Sequence, residues 1–570
     1  MLDRVSDALG RIHGIFEGGA PGSKILLTTR NRKVGEVVGS RNQLDLPFLS
    51  QDDSWQLFQQ SLRLEKKIVE KCGGVPLAIK ALASALHGKE RIEEWKSMRD
   101  SNLLAVEGKE HSVSACLMLS YFYLPFHLKE CFTLCSLFPK GHWIDKEALI
   151  DQWIAHDMIT ADDGVDYLGV QWPQVLQLSC SNDVVEYVGR VRCKMHDLVH
   201  DLARSILDRQ ISLVPKEETS STKSYRYFSL TEQPEKPVPK NCYKNTRAIY
   251  AHEGNDIIFE KAMKKARHLR SITVESIYSA MVPSTIFLAT NLKYIHMSRL
   301  HCEALPESIS DVWGLQALYV TNSRLVKFPE SISKLQKLRT LNLSYCALVS
   351  NIPDAIGNCH MISSIDLSHC SSLEVLPNFT RRNRKLRVLR LGYTRLERLP
   401  SSITTLVNLE CLDLQWCFNL VELHEGIGGL MKLQVLNLEN CGRVRTMPVS
   451  IGQLSGLRSL DLFVVGEGEE YAGISKLGNM NRITGNLTIR GIDCVRDPSE
   501  AQQACLQQKT NLQRLMLVWN IFDVVRTGME EAVLDGLEPP SAIQELYMLA
   551  HDGISVQYGR GVDGDRRGHR

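Results

Sequence analysis

Two histidines four residues apart, His196 and His200 in Met195-His196-Asp197-Leu198-Val199-His200, would share one face of a helix and could hold a metal, as in the H-E-x-x-H metalloprotease pattern. The acid between them is Asp197, one methylene shorter than the glutamate that must reach a zinc-bound water, and no motif supplies a third ligand. Leu198, Val199, Leu202 and Ile206 make a core-facing stripe, so the pair reads as part of a helix start. Cys346, Cys370, Cys417 and Cys441 are a second candidate set, but their spacing of about 24 places them on successive coils of a repeat. There they fill an inward slot, and no metal is assigned. A third candidate is Lys24-Ile25-Leu26-Leu27-Thr28-Thr29-Arg30, an apolar strand whose end carries two hydroxyls and a guanidinium, where an open parallel sheet presents ligand-contacting groups. By spacing alone, Arg30 reads first as a solvated strand-end charge. No catalytic residue is assigned.

The pattern G-x-x-x-x-G-K-[ST] does not occur in the 570 residues: Gly22-Ser23-Lys24 lacks the Gly-Lys pair, and Gly88-Lys89 is followed by Glu90. Without that loop there is no backbone N–H cradle for phosphates and no hydroxyl for magnesium.

The element that must position everything else is a repeat. Pro306, Pro329, Pro353, Pro377, Pro400 and Pro448 keep a beat of 23 or 24 residues, with His424 in the one missing place. Ahead of each following beat stands L-x-x-L-x-L or a variant, from Leu315/Leu318/Val320 to Leu457/Leu460/Leu462. This is the leucine-rich-repeat signature. One repeat buries five or six apolar side chains, worth about 1.5 to 3 kcal/mol each, while ordering its residues costs about 1 to 2 kcal/mol apiece. A lone repeat therefore cannot fold, and stacking yields a curved solenoid with a concave strand face. Positions expected to point outward from that face are His296, Tyr319, Asn342, Asp366, Arg390, Asp413, Asn437 and Asp461. Their mixture of charge and hydrogen-bonding groups suits a protein partner, although the same residues would also serve simply to keep the face soluble.

Sixty-seven basic and 65 acidic residues leave no global field that would favour nucleic acid. No apolar run approaches a membrane span, and sixteen cysteines without a C-x-x-C pair suit a reducing compartment. The expected organisation is the C-terminal part of an α/β domain at 1–45, a helical subdomain at 46–110, and a winged-helix subdomain at 111–210. A linker with a first weak repeat follows at 211–245, then the α/β solenoid at 246–550 and a disordered tail at 551–570. Ser50-Gln51-Asp52-Asp53 has capping-box spacing, and Gly73-Gly74-Val75-Pro76-Leu77 breaks the chain before an alanine-rich helix.

The order of these motifs, Gly22 to Arg30, Leu46 to Phe58, Gly73 to Leu77, Cys131 to Pro139, Met195-His196-Asp197 and then leucine-rich repeats, resembles the plant nucleotide-binding leucine-rich-repeat disease resistance proteins. The cysteine motif and the Trp153 segment resemble the coiled-coil branch. The resemblance implies a switch: ADP holds a closed state, ATP opens it, and oligomers then signal immunity and local cell death. It further implies that Arg30, beside Thr29, senses the terminal phosphate, that Pro76 packs on the adenine, and that His196 with Asp197 contacts the ADP phosphate. The implied partners are a pathogen effector or a guarded host protein on the concave face, and the switch itself through an intramolecular contact. The implied location is cytoplasmic, with nuclear or membrane-peripheral pools. Met1-Leu2-Asp3-Arg4-Val5 departs from the family, with Arg4 where a second aspartate would hold magnesium. An N-terminally truncated switch is expected on these grounds. The alternative is a non-switching repeat scaffold or decoy, and a residual nucleotide hydrolase lacks the groups it would need.

Overall fold

The computed structural model describes, apart from single residues, 44–59 and 75–83 in part, 109–160, 184–212 in part, 225–230, 243–252, 264–276, 284–519, 528–549 and 555–559. The expected strand at 24–30, with Thr29 and Arg30, lies outside the described residues. The chain divides into two compact units, Met1–Tyr121 and Phe122–Arg570.

In the first unit, helix α1 (Gln51–Gln59) starts as its spacing predicts. The Asp53 N–H donates to Ser50 Oγ at 3.1 Å, and the Ser50 hydroxyl donates back to the Asp53 carboxylate at 2.7 Å. Pro76 opens a helical turn with its side chain exposed, while Ala78, Ile79 and Ala83 are buried. Helix α2 (Lys109–Phe122) ends at the boundary between the units.

The second unit begins with helix α3 (Phe126–Leu134), whose Cys131, Phe132 and Leu134 are buried and which tightens through Cys135–Leu137 before Pro139. Strand β1 (Trp143–Asp145) leads into helix α4 (Lys146–Ala155), capped by Asp145, which accepts the Ala148 N–H at 3.1 Å. Strands β2 (Val184–Tyr187) and β3 (Arg190–Lys194) complete a three-stranded antiparallel sheet in the order β1-β3-β2. Helix α5 (Asp197–Leu207) follows. Helices with a small antiparallel sheet make this the winged-helix subdomain.

The solenoid sheet is parallel and runs through β4 (Ile211–Ser212), β5 (Tyr227–Leu230), β6 (Ala248–His252), β7 (Ser271–Glu275), β8 (Tyr294–Ser298), β9 (Ala317–Thr321), β10 (Thr340–Asn342), β11 (Ser364–Asp366), β12 (Val388–Arg390), β13 (Cys411–Asp413), β14 (Val435–Asn437) and β15 (Ser459–Leu460). It starts ahead of residue 246: β4 pairs with β5 and β5 with β6, and all four residues of β5 are buried. The leucines of the repeated phrase are fully buried, among them Leu341, Leu389, Leu412 and Leu436, each pairing in register with its counterpart one coil on.

Each proline of the beat at 306, 329, 353, 400 and 448 caps a five-residue 3-10 turn, with φ between −59° and −73°. His424 holds the missing place by another means: its backbone has φ −65°, and its Nδ1 accepts the Gly426 N–H at 3.0 Å. The four cysteines occupy the inward slot. Their thiols donate to carbonyls one coil back, Cys346 to Val320, Cys370 to Leu343, Cys417 to Leu391 and Cys441 to Leu414, at 3.0 to 3.3 Å.

After Leu462 the chain moves to a second sheet, β16 (Leu462–Val464), β17 (Gly485–Arg490), β18 (Leu512–Val518), β19 (Glu545–Leu549) and β20 (Ser555–Gly559). The last of these is antiparallel and differs from the disordered tail expected from 551 onward. It covers the edge of β19, whose unpaired N–H and C=O groups would otherwise be a template for foreign strands. No helix among the described residues is long and apolar enough to cross a membrane.

Candidate functional site at the junction of winged helix and repeats

The concave face between β5 and β12 carries a protein element of this same chain. Helix α4 lies across it, and the apolar part of the contact joins Ala148 and Ala155 to Tyr294, Ala317 and Tyr319. Alanines on that side of α4 let the helix approach the strands closely, and two tyrosines fill the space beneath.

Polar contacts then fix its register. At the start of α4, the Arg390 guanidinium donates to both Glu147 carboxylate oxygens, at 2.8 and 2.6 Å, with Asp366 3.9 Å away. Burial works against the charge on Arg390, but Glu147 and Asp366 raise its pKa well above the ordinary arginine value. One turn on, the Tyr319 hydroxyl donates to Asp151 at 2.7 Å. Burial pushes the Asp151 carboxyl up to about 6, against the hydrogen bond from Tyr319.

At the far end, Gln152 Nε2 donates to Ser271 Oγ at 3.2 Å, and His156 Nε2 lies 2.9 Å from the same oxygen. Burial, followed by the fields of Arg270, Arg247 and Arg226, lowers His156 to about 3, so its ring is neutral. Asp157 then bridges Arg270 at 2.8 Å and Lys293 at 2.6 Å. The loop before α4 is held as well: Ser229 donates to the Leu137 carbonyl at 2.7 Å, and His142 stacks on Phe138 while reaching Glu275 at 3.3 Å.

The expected outward-facing residues therefore divide by what they do. Tyr319 and Arg390 are bound to α4, and in this arrangement neither is open to an outside partner. Asn342, Asp366, Asp413 and Asn437 use a side-chain oxygen to accept the N–H two residues on, at 2.9 to 3.1 Å, which closes the end of each strand. Their carboxyl and amide groups thus have a structural role that alternation alone does not reveal. His296 is half-buried against Tyr319, with ring centroids 5.4 Å apart, and burial lowers it to about 4. Asp461 is half-buried beyond the end of α4's footprint, and burial, aided by Glu439 and Asp413, raises it to about 6.

His196 is half-buried just ahead of α5 and accepts the Leu198 N–H on Nδ1 at 3.2 Å, so it caps that helix, with Asp197 as its first residue. His200 points elsewhere: its Nε2 is 2.9 Å from the Phe138 carbonyl, and burial lowers its pKa. The two histidines that share a spacing do not share a site. Pro76 stands in the first unit, and Thr29 and Arg30 lie outside the described residues.

Sequence reading did not single out α4 as the helix that fills the face, because its hydrogen-bond partners lie 119 to 243 residues away, beyond the reach of any local pattern. It also passed over a row that was periodic. Tyr345, His369, Tyr393 and Trp416 follow their strands at positive φ, 55° to 63°, and their rings stack from coil to coil with centroids 4.1, 4.1 and 5.5 Å apart. Left-handed backbone costs about 1 to 2 kcal/mol at a non-glycine residue. Inter-coil hydrogen bonds offset it, such as His369 N–H to Gly392 O at 2.7 Å and Trp416 N–H to Glu439 O at 2.7 Å.

Comparison with known proteins matches four segments to family models: an NB-ARC domain at 1–67, a disease resistance protein winged helix domain at 137–203, a leucine rich repeat at 337–359, and R13L1/DRL21 leucine-rich repeats at 474–558. The chain is 28% identical to disease resistance protein RGA2 of Solanum bulbocastanum over 584 residues, covering 96% of this chain and 46% of that protein. It is 28% identical to putative disease resistance protein RGA1 of the same species, covering 96% and 45%. To putative disease resistance RPP13-like protein 1 of Arabidopsis thaliana it is 31% identical, over 33% of this chain and 19% of that protein. The chain thus spans a little under half the length of the two Solanum relatives.

Proposed function

This chain is a homologue of the plant disease resistance proteins that join an NB-ARC domain, a winged-helix domain and leucine-rich repeats, and from that premise we propose that it acts as an intracellular immune receptor in which partner recognition on the repeats is coupled to a nucleotide switch. The observation that carries this reading is the seat of α4 on the concave face. A partner that claims Tyr319 and Arg390 must take them from Asp151 and Glu147, and so must shift the subdomain that also carries His196 and Asp197. Recognition and switching then compete for the same side chains.

The nucleotide would be ADP or ATP, held by Thr29, Arg30, Pro76, His196 and Asp197. The position of His196 suits a phosphate: it stands at the N-terminus of α5, the positive end of the helix dipole, which favours an anion. The cofactor would supply only the difference in charge between its two forms. This chain's residues would bind it, orient it and pass its state to α4. The partner would be an effector or a guarded host protein that engages the concave face, including the stretch toward Asn437 and Asp461 beyond α4. A second reading is a repeat scaffold that binds a partner without switching, a role the half-buried stretch toward Asn437 and Asp461, beyond α4, could serve alone.

Mass spectrometry of the purified 570-residue chain, with calorimetry, separates the two. Co-purifying ADP that is weakened by His196→Ala and Arg30→Ala supports the switch. An absence of nucleotide and of any binding leaves the scaffold, and binding that both variants leave unchanged rejects the site assignment.

A further inference from the structure

A basic residue stands immediately before each of four successive strands: Arg226 before β5, Arg247 before β6, Arg270 before β7 and Lys293 before β8. They form neighbouring rungs of one ladder, because Arg247 N–H donates to Arg226 O, Arg270 N–H to Arg247 O, and Lys293 N–H to Arg270 O, each at 2.8 Å. Side chains on adjacent rungs start about 4.8 Å apart.

The two ends of this ladder are treated differently. Asp157 pairs with both Arg270 and Lys293 and offsets one of their two charges, and Arg270 also donates to the His156 carbonyl at 2.9 Å. Neither Arg226 nor Arg247 forms a side-chain hydrogen bond or ion pair among the described residues, and both are half-buried. The Arg226 guanidinium lies 5.9 Å from the Tyr227 ring centre, and Tyr227 in turn sits 6.3 Å from the His156 ring. Burial, then Arg226 and Arg270, lower the pKa of Arg247, with Glu130 the acid that acts against them. His156 is neutral and adds no charge of its own. Two guanidiniums are thus held side by side, partly desolvated, where the fold supplies too little counter-charge.

We propose that the Arg226–Arg247 end of this ladder is a binding site for a small anion carrying clustered phosphate groups. Guanidinium forks pair with phosphate oxygens two at a time, and adjacent rungs can engage neighbouring phosphates on one molecule. A lone carboxylate, as Asp157 shows at the other end, can bridge two rungs but offsets only one of their two charges, whereas clustered phosphates can offset both. A ligand here sits where the winged-helix residues His156 and Asp157 meet the repeats, so it fastens α4 in place. The site is independent of the nucleotide reading, since neither arginine is among the proposed nucleotide residues.

The test is calorimetry on the full chain at low salt with sodium tripolyphosphate as probe. The expected result is a site weakened at least tenfold in Arg226→Ala/Arg247→Ala, weakened less in Arg247→Lys, and unchanged in the surface control Lys337→Ala, whereas any second site that His196→Ala removes and the double arginine variant keeps belongs to the nucleotide reading. An unchanged circular dichroism melt in Arg247→Lys separates loss of binding from loss of fold. No binding to the wild type, equal binding in the double variant, or equally tight binding of polyglutamate would overturn the proposal. Sedimentation with vesicles containing phosphatidylinositol bisphosphate, against phosphatidylcholine alone, assigns the source. Pelleting that needs both arginines points to a lipid headgroup, and binding of the soluble probe alone points to a free polyphosphate.

Discussion

Arg390 and Glu147 are 243 residues apart in the chain and form a two-point ion pair, buried on the arginine side, that ties the start of α4 to the twelfth strand. Removing one partner of a buried pair leaves a charge without its counter-charge, which costs about 3 to 5 kcal/mol. Arg390→Glu should therefore loosen α4 and expose it to hydrogen exchange while the repeats stay protected. The swap Arg390→Glu/Glu147→Arg should recover only part of this, because the new glutamate would face Asp366. Exchange at residues 146–155 that is the same in the wild type and in Arg390→Glu would show that the pair does not hold the helix.

Asp151 in α4 and His156, which caps that helix, both meet the strands of the repeats and set opposite pH slopes. The Asp151 carboxyl is raised from 3.8 to about 6, so the folded state holds its proton more tightly than the unfolded chain. Its contribution is present below about pH 4 and is lost as pH rises through 6, with a ceiling of about 3 kcal/mol. His156 is lowered from 6.5 to about 3. Its neutral ring is accommodated above pH 6.5, and stability is lost as pH falls toward 3, with a ceiling of about 5 kcal/mol. The two offset one another between pH 4 and 6. Urea unfolding across pH 4 to 8 should show Asp151→Asn with a steeper loss toward acid than the wild type, and His156→Gln with a shallower one. If both variants track the wild type, the two groups do not govern the junction.

The repeat was legible because each coil must bury the same positions, so the period appears in leucine, proline and cysteine alike, and even His424 could be placed by count. The capping box at Ser50 and Asp53 was legible for the same reason: its chemistry is local. The junction was not. Tyr319 and Asp151 are each ordinary in their own segments, and only the curvature of the solenoid brings them to 2.7 Å. Alternation told which side of the strand Asn342 and Asp413 occupy, but could not tell that their oxygens turn back to the next backbone N–H.

The repeat thiols should be inert in the folded chain. Burial pushes Cys346 up to about 11 and Cys441 up to about 12, and it raises Cys370 and Cys417 as well. Each thiol donates to a carbonyl of the coil before it, so ionisation would also forfeit a hydrogen bond. Alkylation at pH 8 followed by mass spectrometry should leave all four unmodified until urea opens the solenoid, with the half-buried Cys505 reached earlier. Rapid native labelling at Cys370 or Cys417 would contradict the ladder.

Gly428 and Gly429 are neighbours in the same 3-10 turn, yet only one is required there. A Cβ at 428 would come within 2.2 Å of the Ser450 carbonyl oxygen, on the backbone of the next coil, where no side chain can swing aside. A Cβ at 429 meets nothing within 4 Å, and its φ is not left-handed. Gly428→Ala must therefore push the coil that Pro448 caps away from its neighbour, at a cost of about 1 to 3 kcal/mol or more, as over-packing does. Gly429→Ala should be neutral, or stabilising by up to about 1 kcal/mol through reduced freedom of the unfolded chain. In a solenoid each coil touches only its neighbours, so the damage at 428 should spread first to the adjacent coil, seen as faster hydrogen exchange at 449–460 before any change near β9. Equal melting curves for the two alanine variants would mean that the coils are not packed as closely as this spacing requires.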